Sequence, residues 1–170
     1  MANVDYFLKL DGIDGESYDS KHKNEIDVIS FSWGEKQAGT GASGGGTGAG
    51  KVQMGDFHFT SLTSKASPKL LLNCANGAAI KTATLTCRKA GKDQQEYYKI
   101  TMTDLMVASY NVAGGYHKSA FAGAVELPVP TDEISLNYST ISFSYSAQKA
   151  DGTLDGAIQA GWDLKDNLSK

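Results

Sequence analysis

The residues of this chain that come nearest to a catalytic signature lie in one glycine-rich tract, 34–50 (GEKQAGTGASGGGTGAG). Gly39, Gly41 and Gly44 fit the GxGxxG spacing, in which bare backbone and a helix N-terminus receive a dinucleotide pyrophosphate. That chemistry needs a helix to follow, and the residues after the tract read as a strand. Residues 45–51 (GGTGAGK) fit the first part of a phosphate-binding loop, but Val52 stands where a hydroxyl would hold Mg²⁺. Gly41, Ser43 and Gly45 fit GxSxG, yet a nucleophile elbow is a rigid strand-to-helix turn. All three matches follow from composition, and none sits in the structural context its chemistry requires.

Other reactive side chains are equally scattered. His22, His58 and His117 have no partner at helical ligand spacing, and His22 lies within DSKHKNE, which reads as a solvated loop. Cys74 and Cys87, the only cysteines, lack metal-ligand spacing and read as two reduced, buried thiols. Nothing places two carboxylates against an apolar pocket, so acid–base catalysis has no support. The expectation is therefore no catalytic residue, no cofactor and no bound metal.

Composition narrows the remaining classes. The chain has 170 residues, a net charge of −3 and 21% charged residues, with both signs interspersed. Nucleic-acid binding needs clustered Lys and Arg, and the longest basic cluster, Arg88 and Lys89 with Lys92, reads as the solvated end of a hairpin. The first seventeen residues hold no uncharged apolar run long enough for a signal peptide, and no later run is long enough to insert into a membrane. The length suits one domain, 1–170, with a core of its own.

The elements that would position these residues are mostly strands. Segment 4–10 ends at the turn-rich DGIDG, and 26–33 alternates, with Ile29, Phe31 and Trp33 on one face and Ser30 and Ser32 on the other. Segment 52–60 follows the tract, with Phe57 and Phe59 pointing together. One short helix is expected after residue 66: Ser67 suits the N-cap, Pro68 the first turn and Gly77 the stop, with Leu70, Leu71 and Cys74 as its apolar stripe. Segments 80–89 (carrying Leu85) and 97–110 form a hairpin. Residues 114–131 read as irregular because of Gly-Gly, Pro128 and Pro130.

Segment 133–148 is the longest strand expected, and its apolar parity switches. Leu136 and Tyr138 are even, while Ile141, Phe143 and Tyr145 are odd, which marks a bulge or a corner. A last strand at 161–164 closes the set. The fold class is mainly β: two antiparallel sheets forming a barrel, with one short flanking α-helix. Its expected core includes Ile29, Phe31, Trp33, Phe57, Phe59, Leu85, Phe143 and Tyr145.

In such a fold, a structureless loop as long as 34–50 is functional or disordered. Eight glycines raise the entropy lost on ordering it, so the loop is expected to dock on something else, another copy included.

Several blocks, taken in order, resemble the Hcp family, the haemolysin-coregulated tube protein of bacterial type VI secretion systems. They are FLKLDGIDGES (7–17), HKNEIDVISFSWG (22–34), GAGKV (48–52), KASPKLLLNCANG (65–77), LTCRKAG (85–91), LMVASY (105–110), ISLNYSTISFSYSAQKADGT (134–153) and GWDLKDN (161–167). The segment 112–132 departs from the family pattern by being longer. The resemblance implies six-membered rings stacked into a hollow tube, with a spike protein, a contractile sheath and a baseplate as partners. It further implies effector proteins carried in the lumen. Export would run from the bacterial cytoplasm to the medium or a target cell, through the same machine and without a signal peptide.

The family's serine in the SWG run faces the lumen, which carries onto Ser32, with Ser30 on the same face. The plainer alternative is that both serines face solvent. The tract 34–50, with Glu35, Lys36, Gln37, Gly39, Gly41, Gly44, Gly45, Gly46, Gly48 and Gly50, would contact the next subunit or ring. Two other functions stay open: a tail-tube protein of a phage or another contractile particle, and a monomeric β-sandwich module binding carbohydrate or peptide.

Overall fold

The structure is a computed structural model and describes residues 4–37, 52–89, 94–114 and 129–170. Eleven strands and one helix follow in the order β1 (Val4–Leu10), β2 (Ile26–Ser32), β3 (Glu35–Gln37), β4 (Val52–Met54), β5 (Phe57–Leu62), α1 (Ser67–Asn76), β6 (Ala79–Lys89), β7 (Glu96–Ala113), β8 (Thr131–Asn137), β9 (Thr140–Tyr145), β10 (Ile158–Asp163) and β11 (Leu168–Ser169). The large sheet runs β11-β10-β9-β7-β6-β1-β2-β5-β8, and β8 returns to pair with β7. That last pairing closes six strands, β7-β6-β1-β2-β5-β8, into an antiparallel barrel, with β9 to β11 attached outside it.

β7 makes this possible because its two halves have different neighbours. Tyr98 to Thr103 pair with β9, and Met106 to Ala113 pair with β8. Between the halves Asp104 takes a left-handed backbone (φ 49°), and the buried set changes parity from Ile100 and Met102 to Leu105 and Val107. The parity switch expected in 133–148 has the same origin. That segment is two strands, β8 and β9, broken at Tyr138–Ser139, so the corner is real and the single long strand is not. Tyr138 is buried at the break and donates its hydroxyl to the Gly55 carbonyl (2.9 Å). The segment 52–60 likewise splits into β4 and β5 at Gly55.

The core holds Phe57, Phe59 and Leu85 as expected, with Phe31, Trp33 and Phe143 packed at its margin. Ile29 and Tyr145 depart from expectation, at 44% and 43% exposed. The β2–β5 register slips between Val28 and Ser30, so Ile29 is the extra residue of a bulge. Ile26 and Val28 are buried before the bulge, and the inward parity passes to Phe31 after it. Tyr145 ends β9 beyond the core, where its ring meets the edge of Tyr97.

Helix α1 ends at Gly77 in the left-handed conformation (φ 65°). Ser67 is its first residue rather than its cap. Its hydroxyl accepts from the Ser64 amide (2.9 Å) and donates to the buried carboxylate of Asp132, which also accepts from Thr63 (2.8 Å). Leu70 is buried against the barrel, whereas Leu71, expected in the apolar stripe, is exposed. Cys87 is buried and Cys74 partly so, both are free, and burial pushes the Cys87 thiol up to about 12.

Two further residues lie opposite to their sequence reading. His22 and Arg88 are both buried, on either side of Phe7. The His22 ring stacks on Phe7 (4.3 Å, 5°), and the Arg88 guanidinium carbon lies 4.8 Å from the same ring centre. Arg88 Nη2 donates to Asp19 (2.7 Å) and Asp5 (3.1 Å), while His22 Nδ1 is 2.9 Å from Glu25. These contacts strap the segment between β1 and β2 to the barrel. At Gly15 the strap passes so close that a Cβ would stand 2.3 Å from the Glu25 carbonyl oxygen.

Candidate functional site

Across β2, β5, β8 and the second half of β7, the registers align residues into rows. Ser30 faces Thr60, Thr60 faces Glu133, and Glu133 faces Asn111. The next outward-facing row is Ser32, His58, Ser135 and Ser109. Between them runs Phe31, Phe59, Ile134 and Tyr110, buried or packed against the core. Successive residues of a strand point to opposite faces, so four aligned strands convert one polar alternation into a polar surface backed by a hydrophobic one.

All members of the two rows but the buried Ser135 line a shallow concavity of about 400 Å³. Ser30, Ser32, His58, Asn111 and Glu133 are exposed in it, and the Ser109 and Ser135 hydroxyls hydrogen-bond each other (2.6 Å). Apart from Glu133 and the ionisable His58, every side chain in the two rows is small, neutral and polar. The surface offers hydroxyls and an amide at close spacing, with one carboxylate and one imidazole among them. Among the described residues no group of His, Cys, Asp or Glu gathers to hold a metal ion.

Sequence reading found Ser30 and Ser32 but missed the other six members of the rows. His58 and Thr60 were legible in principle, since they alternate with Phe57 and Phe59. Asn111, Ser109, Glu133 and Ser135 were not, because cross-strand register is absent from a single sequence.

This four-stranded face has two unpaired margins among the described residues. β2 meets β1 only at Asp27 and Ile26, so Val28 to Ser32 have β5 on one side and no strand on the other. β6 leaves β7 at Met106, so Val107 to Ala113 have β8 alone. Exposed apolar residues mark both margins, Ile29 on β2 and Val112 (55% exposed) on β7.

Of the residues expected to make contacts between copies, Glu35, Lys36 and Gln37 form β3, which pairs with Val52 to Met54 of β4. The base of the glycine tract is therefore a hairpin rather than a structureless loop. Gly39, Gly41, Gly44, Gly45, Gly46, Gly48 and Gly50 lie outside the described residues, as does most of 112–132. No helix among the described residues is long and apolar enough to cross a membrane.

Residues 7–145 match the family described as "Type VI secretion system effector, Hcp". The protein hcp1 of Pseudomonas aeruginosa is 39% identical over 167 residues, covering 97% of this chain and 98% of that protein. The crystal structure of Hcp1 from Salmonella typhimurium is 38% identical, with a TM-score of 0.79 and full coverage of both chains. A solved type six secretion system protein is 31% identical with a TM-score of 0.87, covering 99% of this chain and 100% of its own.

Proposed function

The chain belongs to the Hcp family of type VI secretion proteins, and from that premise we propose that it is a non-catalytic subunit of the secreted inner tube. Six copies form a ring, rings stack, and small effector proteins travel in the bore. The spike, sheath and baseplate of the same machine are its partners. The protein leaves the bacterial cytoplasm with its cargo for the medium or a target cell.

One observation carries this reading: the polar face ends in two open strand edges, β2 on one side and β7 on the other. A ring is built from heterologous contacts, each copy offering two different surfaces. The strands of the face are antiparallel throughout and even in number, so β7 of one copy meets β2 of the next antiparallel, as a continuous sheet requires. Closing the ring also removes two exposed edges that would otherwise invite aggregation.

At 4.7–4.9 Å per strand, six such faces give a wall of about 115 Å, which is a backbone diameter of about 37 Å. A 100-residue domain, with a radius of gyration of about 13 Å, fits that bore only narrowly. The small polar side chains of the two rows suit a surface past which cargo slides. Ser30 and Ser32 then face the lumen, while the β3–β4 hairpin and the glycines beyond it reach the neighbouring ring.

The reading is tested by measuring the mass of the purified protein in solution and imaging it in negative stain. Rings at micromolar concentration are expected; monomers alone would overturn it. In the ring, Ser32→Gln should leave assembly intact and weaken retention of a small exported effector. Loss of the ring instead would place the Ser32 side chain, and not only its backbone, in the subunit contact.

A further inference from the structure

Building on the ring reading, we propose that Glu133 makes the bore selective for cargo that presents Lys or Arg side chains. Several carboxylates of this chain stand against its own cations: Asp5 and Asp19 on Arg88, Glu96 on Lys99, Asp104 on Lys165 and Asp163 on Lys170. Glu133 is exposed and, among the described residues, is in none of the ion pairs within 4 Å. Neither polar row contains a Lys or Arg.

The surroundings of Glu133 are suited to holding a cationic side chain. Thr60 stands on one side and Asn111 on the other, so an ammonium or guanidinium on the carboxylate meets further oxygen acceptors. His58 is the other ionisable group of the face. It pairs with Ser135, two residues along β8 from Glu133, and is therefore a diagonal neighbour.

In a ring the row becomes a belt with one carboxylate per copy, spaced by about 19 Å, more than twice the Debye length of about 8 Å at physiological salt. The carboxylates do not repel one another appreciably, yet an extended cargo segment can touch several. Each contact at an exposed site is weak, and discrimination comes from their repetition.

The test uses assembled rings and two fluorescein-labelled peptides, oligolysine and oligoglutamate, read by fluorescence anisotropy. Rings should bind oligolysine at about 50 mM NaCl and release it at about 500 mM, while oligoglutamate stays free. Glu133→Gln should weaken oligolysine binding by about fivefold or more with rings of unchanged mass. Glu133→Asp should restore most of it. Intact Glu133→Gln rings that bind oligolysine as the parent does, or parent rings that bind both peptides equally, would overturn the selectivity and leave the ring reading standing. A parent protein that never forms rings would overturn both.

Discussion

Arg88 shows how one side chain changes meaning when its neighbours are known. In sequence it sits among lysines at a hairpin end; in the fold it is 4% exposed, stacked on Phe7 and bonded to Asp19 and Asp5. The guanidinium beside Asp19 lowers that carboxyl from 3.8 to about 2. A carboxyl whose folded value is depressed favours folding above its unfolded value, and the benefit disappears as pH falls through the folded one. Denaturant titrations between pH 5 and pH 2 should therefore lose roughly 1–2 kcal/mol from this pair as pH drops from about 4 to about 2. Asp19→Asn should flatten that part of the profile. An unchanged profile would mean that the pair does not couple to folding. This arrangement is not legible in the sequence, because Asp5, Asp19 and Arg88 are brought together by chain reversal and not by any local pattern.

Strand existence was legible from alternation, and strand boundaries were not. The parity change after Tyr138 was visible, and its cause is that the chain leaves one set of neighbours for another. The equivalent change in β7 carries no punctuation in the sequence, because the left-handed residue there is an aspartate rather than a glycine. Ile29 was misplaced for a related reason: a bulge is a property of the pair β2–β5, and one strand alone shows only unbroken alternation. In the glycine tract, composition hid the short β3–β4 hairpin at its base. Deleting residues 40–47 leaves that hairpin and every described core side chain in place. Ring stacking, followed by electron microscopy, should fall while the melting temperature of the single ring barely moves. A drop of several degrees would place the deleted residues in the folding unit.

For the whole molecule, a barrel is expected from the sequence, but the strands that close it are legible only once register is known: β8 pairs with its chain neighbour β7 on one side and with the distant β5 on the other. The polar face and its two margins depend on that closure. Ile29, half exposed beside the β2 margin, gives a test of assembly that spares the fold. Ile29→Lys should convert rings to monomers by light scattering, at a cost to monomer stability within about 0.5 kcal/mol, as expected for a surface position. Rings that persist would show that the β2 margin is not a subunit contact.

β7 runs without a loop from the outer strands β9 to β11 into the polar face. In the proposed ring, thrust on these outer strands would enter the polar face through the covalent backbone of β7. Slippage would require breaking the β7–β8 ladder along its length at once. A tube built of such pieces would be stiff within each piece, and its weakest planes would fall between them.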